Sequence, residues 1–207
     1  MPYSMDVSRL SLPEYRELLK TQNLLPGRRI LWENIDVNFD RMSREGIADI
    51  AQLKKRLATL EKITALAAAT GIPTEYLTIL KREAGSLEQK PVPIASFPGL
   101  AEATISGLNE KGIKTSKEYY ESGLVDFAEL FCLCDLVRIN GVGAVAARAF
   151  YEAGYRSVTD VANAGAADMH QKVSAVNDQK GYYKAKLGVK DMQFCIDFAR
   201  LLMKYGE

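Results

Sequence analysis

The chain has 207 residues, of which 47% are hydrophobic, and its 27 basic and 26 acidic side chains leave a formal net charge of +1. This length can bury one large or two small hydrophobic cores without disulfides or metals. The composition excludes a disulfide-stabilised miniprotein and a membrane-spanning segment, which needs a run of about 18 apolar residues. An odd number of cysteines and an N-terminus without an apolar leader predict a cytoplasmic protein, and the near-zero charge argues against coating nucleic acid by electrostatics alone.

The first 90 residues have helical patterns. Ser11–Glu14 has the S-x-x-E form of a capping box, which predicts a helix to about Lys20. Apolar residues recur at spacings of three and four from Ile50 to Leu66 and predict one apolar helical face that ends at Gly71. The next helix is predicted to begin at Pro73–Thr74.

A proline-rich segment then interrupts these helical patterns. Pro91 and Pro93 lie two residues apart, which no regular helix tolerates. We therefore predict two subdomains that meet near Gly85–Ser96: an N-terminal helical subdomain of residues 1–90 and a C-terminal domain of residues 91–207. Sustained alternation of apolar and polar residues is missing throughout, so the predicted fold class is all-α.

The second half contains an internal repeat, in which Phe97–Ala101 matches Ile139–Gly143. In each copy one glycine is predicted to form the tight turn before a helix, and a second glycine is predicted to end that helix. A hydroxyl side chain is then predicted to cap the next helix. These positions are Gly99, Gly112 and Thr115 in the first copy and Gly141, Gly154 and Ser157 in the second.

A fainter third copy lies in the N-terminal half. Gly46 matches Gly112, and Asp49 occupies the capping position. Its opening turn has lost the glycine, because Glu33 stands where Gly99 would be. We interpret this copy as a degenerate unit with the same capping pattern.

The sequence Ile139–Gly143, apolar-x-Gly-apolar-Gly between two predicted helices, resembles the helix-hairpin-helix motif. The preceding helix is predicted to run roughly from Val125 to Arg138, and the following one from Ala144 to Ala153. Two such units joined by a connector helix resemble the tandem helix-hairpin-helix, SAM-like helical domains of DNA repair and replication proteins.

The chain also resembles, over nearly its full length, a prokaryotic family catalogued as a domain of unknown function with helix-hairpin-helix repeats. The resemblance implies a fold and brings no reaction with it. It is carried by Leu24–Arg29, Thr70–Leu77, Phe97–Gly99, Asp135–Ile139 and Tyr183–Gly188.

The helix-hairpin-helix resemblance implies a contact with a DNA phosphate. In such proteins the hairpin glycines let the backbone approach the phosphate, and N–H groups at the start of the second helix bind it. The matching donors here belong to Gly141, Gly143 and Val145 or Ala146. The full predicted interface comprises Gly141, Val142, Gly143, Ala144, Val145, Arg138, Arg148, Lys184 and Lys186.

The same resemblance implies that hairpin carbonyls could hold a monovalent cation, as they do in some members. The matching oxygens belong to Val137, Ile139 and Val142, and K⁺ or Na⁺ is the only cofactor that the sequence suggests. The other two hairpins are predicted to be structural, because Glu102 and Asp36 would compete with a phosphate for the same N–H groups.

No catalytic constellation is recognised in the sequence. Cys132 and Cys134 are two apart on a predicted helix and therefore point to nearly opposite sides. Cys195 is predicted to lie in the core, and His170, the only histidine, on the surface of a polar helix. The chain carries no phosphate loop, dinucleotide fingerprint or zinc spacing, so we predict neither an enzyme nor a small-molecule substrate.

The sequence thus leads to two alternative functions. The first is a non-enzymatic module that binds the DNA backbone weakly and independently of sequence through the Gly141–Arg148 hairpin. Neutralising two or three phosphates would give a salt slope of about −2 to −3. The second is a protein–protein interaction or scaffold module whose hairpins serve only the fold. Neither involves a membrane.

Overall fold

The computed structural model of the protein describes residues 2–124 and 126–206. Within them it contains twelve α-helices, two short 3-10 helices and no β-strand, so the predicted all-α fold is confirmed. The helices form two compact units by their contacts. One comprises residues 6–87, and the other comprises residues 88–206 together with residues 2–5.

The unit of residues 6–87 is built from five α-helices and a 3-10 helix over Pro26–Trp32. α1 packs against α2, α3 and the 3-10 helix, and α5 packs against α3, α4 and the 3-10 helix. The core between them contains fully buried Leu12, Leu19, Phe39, Met42, Leu53 and Leu80. The five helices are α1 Leu12–Thr21, α2 Ile35–Arg44, α3 Ile50–Arg56, α4 Leu60–Thr70 and α5 Thr74–Gly85.

The capping box that the sequence predicts at the start of α1 is present. The Ser11 hydroxyl accepts the Glu14 N–H, and the Glu14 carboxylate accepts the Ser11 N–H in return. These reciprocal bonds satisfy two of the amide groups that a helix start leaves without a backbone partner. α5 likewise begins at Thr74, as predicted.

The prediction of one continuous helical face from Ile50 to Leu66 is wrong, because α3 ends at Arg56 and a new helix begins at Leu60. Thr59 is extended, with φ −121°, and its hydroxyl accepts the Lys62 N–H at 3.3 Å, so it caps a new helix. Leu60, which the periodicity placed on the buried face, is 73% exposed. The apolar spacing of three and four residues continues from α3 into α4, so it does not reveal the cap at Thr59.

The second unit contains the remaining seven α-helices and a 3-10 helix over Ile94–Ser96. α12 is its longest helix and packs against α10 and α11, while α8 packs against α7 and α9. The seven helices are α6 Glu102–Glu110, α7 Ser116–Glu121, α8 Ala128–Leu136, α9 Ala144–Glu152, α10 Val158–Ala162, α11 Ala166–Lys180 and α12 Val189–Tyr205.

The turns and caps predicted from the repeated pattern are present at each position. The turn and helix-end glycines have positive φ: Gly46 at 77°, Gly99 at 81°, Gly112 at 77°, Gly141 at 84° and Gly154 at 97°. The side chains of Asp49, Thr115 and Ser157 each accept the N–H three residues onward. In the N-terminal segment that the sequence predicts to be a degenerate copy, the residue with positive φ is Asn34, at 50°.

The first N–H groups of α3, α7 and α10 each donate a hydrogen bond to an acceptor outside their own helix. Ile50 donates its N–H to the Leu10 carbonyl at 3.1 Å, and Ser116 donates to the Val92 carbonyl at 2.8 Å. Val158, at the matching position, donates instead to the carboxylate of Asp135 at 2.7 Å. The start of α10 is therefore held by a buried side chain, whereas the starts of α3 and α7 are each held by a passing backbone segment.

The two units divide after residue 87. The sequence predicts a subdomain boundary near Gly85–Ser96. Residues 2–5 differ from the expectation, since the sequence assigned them to the N-terminal subdomain and they cluster with the second unit. The reason is specific: the Tyr3 carbonyl accepts a hydrogen bond from Arg138 at 2.8 Å, and the Tyr3 hydroxyl pairs with that of Ser116 at 2.7 Å.

Candidate nucleic-acid interface

The hairpin between α8 and α9 is a tight turn. α8 ends at Leu136; the predicted start of this helix at Val125 lies outside the described residues, and the observed start is Ala128. Val142 donates its N–H to the Ile139 carbonyl at 3.0 Å, which closes the turn. Gly141, at φ 84°, reverses the chain direction.

Phe194 of α12 packs beside this turn, a contact that the sequence did not predict. Its Cε1 atom lies 3.7 Å from where a Cβ on Gly141 would be. Gly141 is exposed on its other side, while Val142 is buried. The apolar Val142 therefore anchors the hairpin, and the glycine backbone remains open to solvent.

The first amide groups of α9 lack a hydrogen-bond acceptor among the described residues. Its N-cap, Gly143, is exposed and has an extended backbone (φ −86°, ψ 179°), and it offers no side chain to cap the helix. The N–H groups of residues 143–146 have no acceptor among the residues that the structure describes. Ala144 is buried, and Val145 is 37% exposed beside these amides.

The other two hairpins lead into helices with an acidic first turn. Glu102 is the first residue of α6, and Asp36 lies in the first turn of α2. The Asp36 carboxylate already pairs with the Lys20 ammonium at 2.6 Å, which contributes to lowering the pKa of Asp36. α9 has no acidic residue in its first turn. Among the three hairpins, the one before α9 thus carries the amides with no nearby carboxylate.

Arg148 does not face this hairpin's solvent side, contrary to the sequence prediction. Its side chain is buried, with 5% of the residue exposed. Its Nε donates to the Pro98 carbonyl at 2.8 Å, and Nη2 donates to the Glu129 carboxylate at 2.8 Å. The guanidinium also lies over Gly99, where a Cβ would approach within 3.4 Å. Arg148 therefore connects α9 to the turn before α6 and to α8.

Replacing Arg148 by methionine should weaken the fold. The Pro98 carbonyl loses its donor, so we expect the free energy of unfolding to fall by about 1–3 kcal/mol, with nucleic-acid affinity per folded molecule unchanged. Urea unfolding followed by circular dichroism measures the first quantity. Arg156→Met, at an exposed arginine, is the matched control. A loss of nucleic-acid binding without a loss of stability would show that Arg148 belongs to the interface.

Arg138 is also buried, at 7% exposure, and is removed from the interface for the same reason. It pairs with Asp135, donates to the Tyr120 hydroxyl at 2.6 Å, and lies 4.6 Å from the centre of the Tyr120 ring. A charged pair three residues apart within an otherwise apolar stretch, Leu133–Ile139, is the sequence signal that could have indicated this burial.

Lys184 and Lys186 are exposed, as an anion-binding role requires, and line a shallow recess of about 380 Å³. The Asn177 side chain holds this segment through two bonds to the Tyr183 backbone, at 2.9 and 3.0 Å. The Tyr182 hydroxyl donates to Glu152 at 2.6 Å. Since Glu152 ends α9, this contact lies about 13 Å along the helix from Gly143 and does not bring the lysines to the hairpin.

The remaining chemical candidates are held inside the fold. Cys195 and Cys134 are buried, and burial raises the pKa of the Cys195 thiol to about 12. His170, predicted to lie on the surface of a helix, is half-buried, with Nε2 2.9 Å from the Leu187 carbonyl. No group of three or more histidine, cysteine or acidic residues could hold a metal within residues 2–124 and 126–206.

The fold and the hairpin together define an all-helical protein with an exposed glycine turn leading into a helix. Residues 104–202 match a family described as a domain of unknown function, DUF4332. The match runs from α6 into α12 and includes the hairpin before α9, so the expected resemblance to a family of unknown function is confirmed for these residues. No curated protein and no solved structure matches the chain. In the part of the chain that the structure describes, no helix has the length and apolar character needed to cross a membrane.

Proposed function

We propose that the protein is a non-enzymatic helix-hairpin-helix module that binds the backbone of nucleic acid weakly and without sequence preference. The contact is made by the first turn of α9. The observation that carries the proposal is the set of amides 143–146, which have no acceptor among the described residues and no acidic neighbour in the first turn.

This arrangement suits a phosphate for two physical reasons. The amides at a helix start are donors without a backbone partner, and the helix dipole places about half a positive charge there. A phosphate oxygen satisfies both the donors and the dipole, whereas a base edge would not be read. The expected binding is therefore independent of sequence.

Few cations support this contact, which limits its strength. Arg138 and Arg148 are paired inside the fold. The exposed Lys190 lies one helical turn before Phe194, the residue beside Gly141. Lys184 and Lys186 would contact the nucleic acid only if its backbone continued along α9. We therefore expect a salt slope between about −1 and −2, shallower than the sequence alone suggested.

A monovalent cation at the hairpin carbonyls is part of the proposal. The Ile139 carbonyl accepts the Val142 N–H and keeps a second lone pair, so it remains able to ligate K⁺ or Na⁺ with the Val137 and Val142 carbonyls. A cation there would add a positive charge beside the bound phosphate. Exchanging K⁺ for tetramethylammonium at constant ionic strength should then weaken nucleic-acid binding.

Gly143→Glu should abolish this binding. The substitution causes no backbone strain because φ is −86°, and a Cβ at this position meets nothing within 4 Å. Its carboxylate would occupy the open amides and repel the phosphate. The measurement is fluorescence anisotropy with single-stranded, duplex and nicked DNA at about 50 and about 200 mM salt. The parent should lose about 4- to 16-fold in affinity between them.

Gly165→Glu is the matched control. Gly165 is the exposed N-cap of α11, has a negative φ of −94°, and also has no atom within 4 Å of its Cβ position. It should bind DNA like the parent. If Gly143→Glu also binds like the parent, the phosphate site is not at this hairpin.

The second candidate function is a protein-interaction or scaffold module. The burial of both arginines and the 37% exposure of Val145 beside the hairpin favour it, because an apolar residue at a phosphate site adds nothing to anion binding. Folded protein that fails to bind any of the three DNAs at low salt would decide for this alternative.

A further inference from the structure

A pocket of about 510 Å³ opens at the surface of the unit of residues 6–87. It lies between the end of α2, one side of α3 and the first half of α4. It is independent of the α9 hairpin and of the function proposed for it. Its volume is within the range of about 300–1,000 Å³ that is typical of small-molecule sites.

The floor of the pocket is apolar. Ile47 and Leu66 line it and are only 2% and 1% exposed. Ala65, an exposed residue of α4, lines the wall with only a methyl group. An aromatic or branched aliphatic group placed here would leave water and contact these side chains.

The rim of the pocket is cationic. Lys55, Arg56 and Lys62 line it, against a single carboxylate, Glu45. Glu45 lies 3.6 Å from the Arg56 guanidinium, and both side chains are partly exposed. Two lysines therefore remain without a carboxylate partner among the described residues.

The two lysines differ in how they are held. The Lys62 ammonium donates to the backbone carbonyl of Lys55 at 3.3 Å, which holds it beside α3. The Lys55 ammonium is exposed and has neither an ion pair nor a hydrogen bond in the part of the chain that the structure describes. Both lysines line the pocket, so an anionic group at its mouth has two candidate cationic partners.

We propose that this pocket binds a small amphipathic anion. Its apolar body contacts Ile47 and Leu66, and its carboxylate, sulfonate or phosphate group pairs with Lys55 and Lys62. The apolar floor supplies the affinity, and the unneutralised rim selects a negative charge.

The probe for this proposal is 8-anilinonaphthalene-1-sulfonate, with the uncharged N-phenyl-1-naphthylamine as its comparison. Titration should give 1:1 binding, and carbon-13 methyl spectra should shift at Ile47 and Leu66. The uncharged compound should bind about fivefold more weakly. Equal binding of both compounds, no sulfonate binding, or shifts confined to other methyl groups would each overturn the proposal.

Two variants test the location. Ala65→Phe fills the pocket from a helical surface position and should weaken sulfonate binding by about tenfold or more. Ala68→Phe makes the same change at an exposed α4 residue outside the lining and should bind like the parent. Equal binding by these two variants would show that the probe lies elsewhere.

A charge reversal tests the rim. Lys55→Glu should weaken sulfonate binding about fivefold and leave the uncharged compound unaffected. Lys190→Glu, in the other unit, makes the same change in net charge and should have no effect. If the two reversals act alike, net charge and not the rim controls binding.

Discussion

Arg138→Ala is expected to lower the free energy of unfolding of the second unit by about 3–5 kcal/mol, because it leaves the buried Asp135 carboxylate without its partner. Asp135 is 8% exposed and Arg138 is 7% exposed, so water cannot readily replace either one. The loss extends beyond one ion pair: the Tyr3 carbonyl and the Tyr120 hydroxyl each lose a donor.

The consequence should reach α10 as well. The second carboxylate oxygen of Asp135 accepts the Val158 N–H, which begins that helix. An unpaired buried carboxylate tends to take up a proton or to move toward water, and either change weakens this bond. Hydrogen exchange at the Val158 amide should therefore accelerate together with the global loss of stability.

Urea unfolding followed by circular dichroism measures the loss. Trp32, the only tryptophan, reports on residues 6–87 and provides an internal reference. Arg138→Lys keeps the charge without the planar fork and should lose less. The double variant Asp135→Asn, Arg138→Met should be more stable than the sum of the single losses predicts. A loss below about 1 kcal/mol for Arg138→Ala would show that the network does not hold the fold.

Gly141→Val should cost about 3 kcal/mol. At φ 84° a β-branched residue is strongly disfavoured, and the valine methyl groups would press against Phe194, which already lies 3.7 Å from the Cβ position. Because the turn joins α8 to α9, the strain falls on the packing of both helices. Thermal unfolding of the variant measures the effect.

Gly143→Val is the control for this prediction. It lies two residues away, has a φ of −86°, and offers open space for the side chain. The expected cost is only about 1 kcal/mol, since valine is a poor N-cap residue. Equal costs at the two positions would mean that the left-handed backbone at Gly141 is not needed.

Sequence patterns predicted local structure well where a few neighbouring residues decide it. The capping box at Ser11, the caps at Thr115 and Ser157, and the positive φ of Gly141 all depend on contacts within about four residues. Periodicity does not predict the break between α3 and α4, because the apolar spacing continues across the capping residue Thr59.

The candidate site was predicted less well, because its charged residues depend on distant contacts. Arg148 finds its acceptors 19 and 50 residues away, and Arg138 finds one 135 residues away. No local pattern states whether an arginine beside a hairpin faces solvent or crosses to another helix. The glycine turn is recognisable in the sequence, whereas the burial of Arg138 and Arg148 becomes visible only through packing.

The hydrogen bond between Arg138 and the Tyr3 carbonyl has a consequence for protein synthesis. Residues 2–5 leave the ribosome long before Arg138 is made, and in between the unit of residues 6–87 emerges with its own core. That unit can fold first, while the segment before it waits for a partner. The second unit is therefore completed by residues that precede the unit of residues 6–87 in the chain, and a fragment confined to residues 88–206 would lack one of the three acceptors of its buried arginine.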